Sequence, residues 1–560
     1  MKKILTLAAF GFAVHLCNAQ QPSPAIKNFS TNGFEITLSP SSQDEAYWKK
    51  MKELVLQNTA VQKRLAGTNS LVLAEEFIPS AEGEKISSNG TYLLTVFNYT
   101  KNTCLLFEYN STTKGIVKIT ETDEQPNSND EEFEKAKSIL LDNDKQIAAG
   151  YNGGAVKFYK PMPPLDFSQA ENGKVQRTLT VGIESSIPAV KNEIAGVNMI
   201  NHKIIHYPSG APFTSLTSIE QCGLLNARQN TTKRIKGDTY QLTVKKQGIV
   251  LWDMLVTRPR SSSGTNASGI ELQDVYYLGR PVLKQAHVPI LNVQYDSNKC
   301  GPYRDWLYEE SYFQANGKFA GEGFVICDKR PKTLLESESD TGNFQGVAIW
   351  AGDSAISMIS ETEAGWYRYI TEWRFYTNGN ILPLFEFSAV KNACVCNVHH
   401  HHVYWRFDFN IDGPNNQASE YSSSGWTNID TETRRIKDSS QHSEWRIANP
   451  QTRNAYLVIP GDNDGVEDED FGRGDFWVFH NNANEIDDHV KQWRPKKSEQ
   501  IDRFANGEST RNTDIVVWYA AHFTHDVSEV VDHEVGPRLI YIHNETSAQQ
   551  NIEKPAEAMK

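Results

Sequence analysis

Cys394-Val-Cys-Asn-Val-His-His-His-His-Val-Tyr-Trp-Arg-Phe-Asp-Phe-Asn-Ile-Asp-Gly413 carries two patterns at once: four consecutive histidines, and an alternation of apolar and polar residues that continues beyond them. Side chains of a β-strand alternate between faces. His399 and His401 therefore share a face with Val403, Trp405, Phe407 and Phe409, while His400 and His402 fall with Tyr404, Arg406 and Asp408. The first face is apolar, which predicts burial. Two imidazoles at i and i+2 on a buried face can reach one ion, and neutral imidazole suits copper, zinc, iron or nickel. A histidine run also occurs as a solvated low-complexity tract; the strict alternation is what argues for a site. Asp514-Ile-Val-Val-Trp-Tyr-Ala-Ala-His-Phe-Thr-His525 reads as a second strand, whose odd positions Ile515, Val517, Tyr519, Ala521 and Phe523 lead to His525. Its core face also ends in a histidine.

Strand texture extends over most of the C-terminal part. Gln241–Thr257, Ile270–Tyr277, Pro281–Tyr295, Tyr367–Tyr376, Ile381–Val390, Ala455–Ile459 and Phe476–His480 read as strands. Asn378-Gly379 between two of them is a strong hairpin signal. Some 330 residues of this kind, roughly 214–548, predict one large antiparallel β-sandwich. Before it, the same order of elements occurs twice. A helix over Gln43–Ala66 precedes three strands, and a helix over Asp130–Ala149 precedes three more, with the acidic Glu121–Asp130 between the copies. Two small α+β domains, 20–122 and 123–213, are the simplest account, and a weak internal repeat describes the same fact. Residues 549–560 read as a tail.

Met1-Lys-Lys, the apolar run Ile4 to Leu16 and the small-residue end at Ala19 read as a signal peptide, 1–19. The run is too short to span a bilayer, so the expectation is an exported chain, periplasmic or secreted, without membrane insertion. The formal net charge is −13, and the loss of Lys2 and Lys3 makes it more negative. That argues against nucleic acid and favours a cationic ligand. The remaining cysteines, 104, 222, 300, 327, 394 and 396, are too sparse for a disulfide scaffold but can pair after export. The acidic stretch Gly461–Asp475 reads as a solvated surface loop rather than an ion-binding one.

The strand from His399-His400-His401 through Arg406, Asp408 and Ile411-Asp412-Gly413, the strand closing at His525, and Trp373-Arg-Phe-Tyr-Thr-Asn-Gly-Asn-Ile381 together resemble the copper-containing amine oxidases. The resemblance runs from about residue 130 onward and is strongest from 268 to 525. It implies two small α+β domains before a large β-sandwich, copper on His399, His401 and His525, and topaquinone made by oxidation of Tyr367. Two residues depart from the family's cofactor motif: Trp366 stands where it has Asn, and Arg368 where it has an acidic residue. Val293-Gln-Tyr295 resembles the segment that places a tyrosine against the quinone, which would be Tyr295. The family's catalytic aspartate has no counterpart, since counting reaches Glu309 by one anchor and Tyr308 by another. The resemblance further implies a Cys300–Cys327 disulfide and a peripheral calcium site at Asp408, Asn410 and Asp514, with carbonyls of Phe409 and Ile515. The implied activity is oxidation of a primary amine by dioxygen, in a homodimer. The rival readings are a copper-binding protein that has lost the redox cofactor, and an enzyme turned to other oxidative chemistry.

Overall fold

The computed structural model describes residues 27–41, 45–79, 90–161, 164–166, 168–171, 173–191, 193–207, 222–225, 234–295, 303–422, 424–438, 444–467, 472–482, 485–488, 501–525 and 534–544. The expected signal peptide, Cys300 and the tail lie outside them.

The histidine strand, His399–Phe409, runs antiparallel between Arg280–Tyr295 on one side and Ile515–His525 on the other, in the middle of an eleven-stranded sheet. A second eleven-stranded sheet contains Ala355–Ala364, Tyr367–Tyr376 and Ile381–Ala389 as a meander. The sheets face each other through aromatic contacts, Trp373 on Phe407 and Phe385 on Trp405, making the expected β-sandwich. Pairing is antiparallel throughout the described ladders except where Phe324–Cys327 runs parallel to Val347–Ala351. Val403, Trp405, Phe407 and Phe409 are at most 1% exposed. Burying large side chains of this kind is worth about 1.5–3 kcal/mol each, which makes a one-residue slip of register prohibitive.

Gln241–Thr257 folds as two strands, Thr239–Lys246 and Ile249–Thr257, because Gln247 and Gly248 take positive φ and close a two-residue turn. The turn at Asn378-Gly379 joins the expected pair, Phe375 opposite Ile381. Gly379 there has φ +91°, and a Cβ would collide with the rings of Tyr277 and Tyr541.

Each expected long helix is divided. Asn58 caps a new helix, Thr59–Leu65, by accepting from Ala60 N, and Asp144 caps Lys145–Asn152 by accepting from Gln146 N and Ile147 N. Helices Glu45–Gln57 and Thr59–Leu65 cover a four-stranded sheet, Ser70–Pro79 to Gly115–Thr122, around Trp48, Val55, Tyr92 and Phe107. Helices Asp130–Asn143 and Lys145–Asn152 cover a second, Val156–Tyr159 with Thr178–Ser185, Glu193–Asn198 and Ile204–His206. The hairpin Lys27–Thr31 and Phe34–Pro40 belongs to neither. It pairs with Thr239–Lys246 at the edge of the histidine-bearing sheet.

The implied Cys300–Cys327 disulfide involves Cys300, which lies outside the described residues. Cys327 is a free thiol packed among Phe313, Ala315, Val325 and Ala348, where burial pushes it up to about 12. Cys222 instead bonds Cys396, and Cys394 is also disulfide-bonded. Both of those positions lie in the turn Ala393–Cys396 that leads into the histidine strand.

Candidate metal and tyrosine centre

Register alone brings the sequence-derived histidines together. His399 lies opposite His525, and His401 opposite Phe523, so all three project from one face of two adjacent strands. His399 donates from Nδ1 to the Asn397 carbonyl at 2.7 Å, which fixes its tautomer and leaves Nε2 as a lone-pair donor. That Nε2 lies 3.2 Å from His525 Nδ1. Two nitrogens about 2.0–2.1 Å from one ion lie between about 2.9 and 3.4 Å apart as the angle opens from square to tetrahedral. The pair therefore has the spacing of two ligands of a single ion.

His401 is fully buried, and neither of its ring nitrogens has a hydrogen-bond partner among the described residues. Leaving such a group unsatisfied costs about 1–3 kcal/mol. Burial, then the neighbouring imidazoles of His399 and His525, hold it well below the usual histidine range, so it is a neutral imidazole with a lone pair to give. Its ring packs 5.1 Å from that of His399 and stacks on Phe523. As they stand, no three potential ligands among the described residues are closed around one point. The donor set nevertheless fits a soft-to-borderline cation: two convergent nitrogens and a third that lacks any partner.

Tyr367 stands over this set from the opposite sheet, its ring centroid 5.0 Å from His401 and 5.5 Å from His399. Its hydroxyl meets that of Tyr295 at 2.5 Å, and Tyr295 in turn accepts from Trp366 Nε1 at 3.0 Å. Trp366 thus puts a ring N–H donor on the tyrosine pair. Arg368 points to the other side of its strand, where Asp340 binds it through both carboxylate oxygens at 2.7 and 2.9 Å and Glu363 stands at 3.3 Å. Its charge is paired there, and its Nη1 also donates to the backbone carbonyls of Tyr367 at 3.0 Å and Gly365 at 3.2 Å.

Neither base candidate from the sequence is shown beside Tyr367. Glu309 forms a buried ion pair with Lys160 of the second small unit, and Lys160 also reaches Asp130 at 2.5 Å. Burial holds Glu309 up at about 7 even so. Tyr308 lines a cleft between the small units and the sandwich with Asn127, Asp130, Arg234 and Thr265. The acidic group that does reach the centre was not singled out in the sequence. Asp305 accepts from Tyr369 Oη at 2.5 Å, and the Tyr369 ring lies 5.6 Å from that of Tyr367.

On the reverse face of the histidine strand, His402 Nδ1 and His522 Nδ1 lie 2.9 Å apart, and His522 Nε2 is 3.0 Å from Asp475. This is a buried histidine pair, in which His522 Nε2 also meets the Gly474 carbonyl at 3.0 Å. It draws in the end of the acidic stretch, and Asp464 is buried as well, so that stretch is anchored in the fold rather than solvated along its length. At the far end of the strand, Asn481 Nδ2 bridges Asp408 at 3.1 Å and Asp514 at 3.2 Å. Asn410 Oδ1 is buried there and has no hydrogen-bond partner among the described residues. These hard oxygens suit calcium in kind.

A scan against protein-family models and a search of curated proteins give no match. Solved structures do. The copper-containing benzylamine oxidase from Hansenula polymorpha aligns over 93% of this chain and 94% of its own, with TM-score 0.53 and 12% identity. The Aspergillus nidulans amine oxidase aligns over 95% and 91%, with TM-score 0.51 and 13% identity. At that identity the likeness is one of backbone path. Over nearly its whole length, this chain has the fold of a copper-containing amine oxidase.

Proposed function

We propose that this chain oxidises a primary amine, with copper held by His399, His401 and His525 and a quinone derived from Tyr367. Together these groups would supply the two-electron oxidation of the amine to an aldehyde, releasing ammonia and reducing dioxygen to hydrogen peroxide. The observation that carries the reading is Tyr367 packed against His399 and His401, two of the three imidazoles that share the buried face. A tyrosine can be oxidised by a metal only at close range.

The surrounding residues have separate tasks. Asn397 orients His399 through Nδ1, and Phe387 and Phe523 hold His401 by packing. Tyr295 and Trp366 hold the Tyr367 hydroxyl in a fixed hydrogen-bonded line. Burial of the whole set keeps bulk water from the reacting atoms. Calcium at Asp408, Asn410 and Asp514 would brace the far end of the histidine strand.

Copper added anaerobically to metal-free protein, followed by air, tests this. A visible quinone band that is absent from Tyr367→Phe, with peroxide released on adding benzylamine, is the expected result. Copper binding with no band in either protein points to a metal-binding protein without redox cofactor.

A further inference from the structure

The carboxyl of Asp305 is an odd feature to find at the centre of a β-sandwich. It is 1% exposed, and its backbone is pinned by donation from its own N to Leu291 O at 3.0 Å. Oδ2 accepts from Tyr369, whereas Oδ1 is buried and has no hydrogen-bond partner among the described residues. The adjacent Arg304 attracts it electrostatically but gives its hydrogen bonds elsewhere. That guanidinium is held by both oxygens of Asp488 at 2.7 and 2.8 Å and by Asn292 at 2.7 Å. From the opposite sheet, the groups facing Asp305 are Tyr369 and, beyond it, Tyr367 and His401. Tyr295, from the same sheet as Asp305, also bears on Tyr369. None of these is a cation available to Oδ1. An ionised oxygen left so is costly, and its surroundings suit a positively charged partner.

We propose that Asp305, and not Glu309 or Tyr308, is the carboxylate that meets the primary ammonium group of the substrate and takes its proton. The proposal rests on the amine-oxidising reading. A primary amine arrives protonated near neutral pH and is nucleophilic only as the free base. In this step an N–H bond of the ammonium breaks, the proton passes to Oδ1, and the products are a neutral amine and a carboxylic acid. Tyr369, donating to Oδ2, fixes the carboxyl plane while Oδ1 works. The role that Glu309 would have filled is closed to it by Lys160, which holds that carboxylate against the second small unit. Burial pushes Asp305 up to about 8, against the opposing pull of Tyr369 and Arg304. Its ionisation therefore falls where a proton acceptor is most effective.

The test compares wild type, Asp305→Asn and Glu309→Gln, first metal-free and then copper-loaded in air. In the metal-free proteins, thermal unfolding from pH 5 to 9 reports the Asp305 proton. A raised carboxyl binds its proton in the folded state below about 8, so wild type should lose stability relative to Asp305→Asn as pH rises to that point, then hold level. Calorimetry with benzylamine on the same proteins should show binding weakened at least tenfold in Asp305→Asn alone. In the loaded proteins, Asp305→Asn should keep the quinone band and lose about 100-fold or more in kcat/KM, with the limb near pH 8 gone. Glu309→Gln should stay within a few-fold of wild type. Benzylamine binding and turnover in Asp305→Asn equal to wild type, or loss confined to Glu309→Gln, overturns the proposal. If wild type forms no quinone and turns over no amine, the amine-oxidising reading fails. The metal-free calorimetry then decides Asp305 by itself, with equal or absent binding in wild type and variant counting against it.

Discussion

The hydroxyls of Tyr295 and Tyr367 meet at 2.5 Å across the gap between the two sheets, one from the strand beside the histidines and one from the strand facing them. This contact sets the height of Tyr367 above His399 and His401. In Tyr295→Phe, both Tyr367 Oη and Trp366 Nε1 lose that partner inside the core. A loss of about 1–3 kcal/mol in stability is expected, together with slower appearance of the quinone band after air is admitted to copper-loaded protein. Denaturant unfolding and the band's rise time measure the two effects.

Copper stoichiometry should separate the histidines by face. Alanine at 399, 401 or 525 is expected to abolish tight binding, and alanine at 400 to leave it intact, since His400 is only partly buried and meets Thr524 at 3.0 Å. His522→Ala is the informative control. It removes a buried partner of His402 and Asp475 and should lower stability by about 2–4 kcal/mol while copper is still bound. Atomic absorption after dialysis gives the count, and an empty site in His400→Ala would reverse the assignment.

The ion pair of Lys160 with Glu309 should show in the pH dependence of stability. Burial raises Glu309 to about 7, so the folded state binds a proton there that the unfolded chain has released, and stability declines as pH rises from about 4.5 to 7. For Lys160, burial opposes the charge, but Glu309 and Asp130 more than offset it, so its contribution persists until alkaline pH. Lys160→Met strands the Glu309 carboxylate. The expected cost is about 3–5 kcal/mol at pH 8, smaller at pH 5 where Glu309 is protonated, and partly recovered in the double variant with Glu309→Gln. Urea unfolding at the two pH values measures it.

Peptide mapping without reduction should recover Cys222 linked to Cys396. Cys327 should react with a thiol reagent only after the protein is unfolded, because the folded thiol is buried and held protonated. Labelling of native Cys327 within minutes would contradict its placement.

The sandwich and the histidine faces were legible because period-two alternation is a local property, visible within eleven residues of a strand. The helix breaks at Asn58 and Asp144 were not, since a polar cap inside an amphipathic pattern looks like one more solvent-facing residue until its side chain is seen turning back on the next helix. Asp305 was passed over for a different reason. What makes it a site residue is Tyr369, 64 positions away, and the diversion of Arg304 to Asp488, 184 positions away. The disulfides follow the same logic: the partner of Cys396 is chosen by the approach of residues 222–224 to the turn before the histidine strand, a contact spanning 174 positions.

Pairing of Phe34–Pro40 with Thr239–Lys246 also fixes an order of events in time. The early hairpin has no sheet to join until roughly 200 more residues have been made, which at ordinary synthesis rates of about 5–20 residues per second is some 10–40 s. Throughout that interval Ile36 and Leu38, at most 1% exposed in the folded protein, are without their final cover, while the two helix-bearing units between can already collapse on local contacts. Maturation of the sandwich is thus governed by long-range closure, the slow regime of folding, and the edge where Lys27–Thr31 and Phe34–Pro40 dock is among the last parts of the molecule to be sealed.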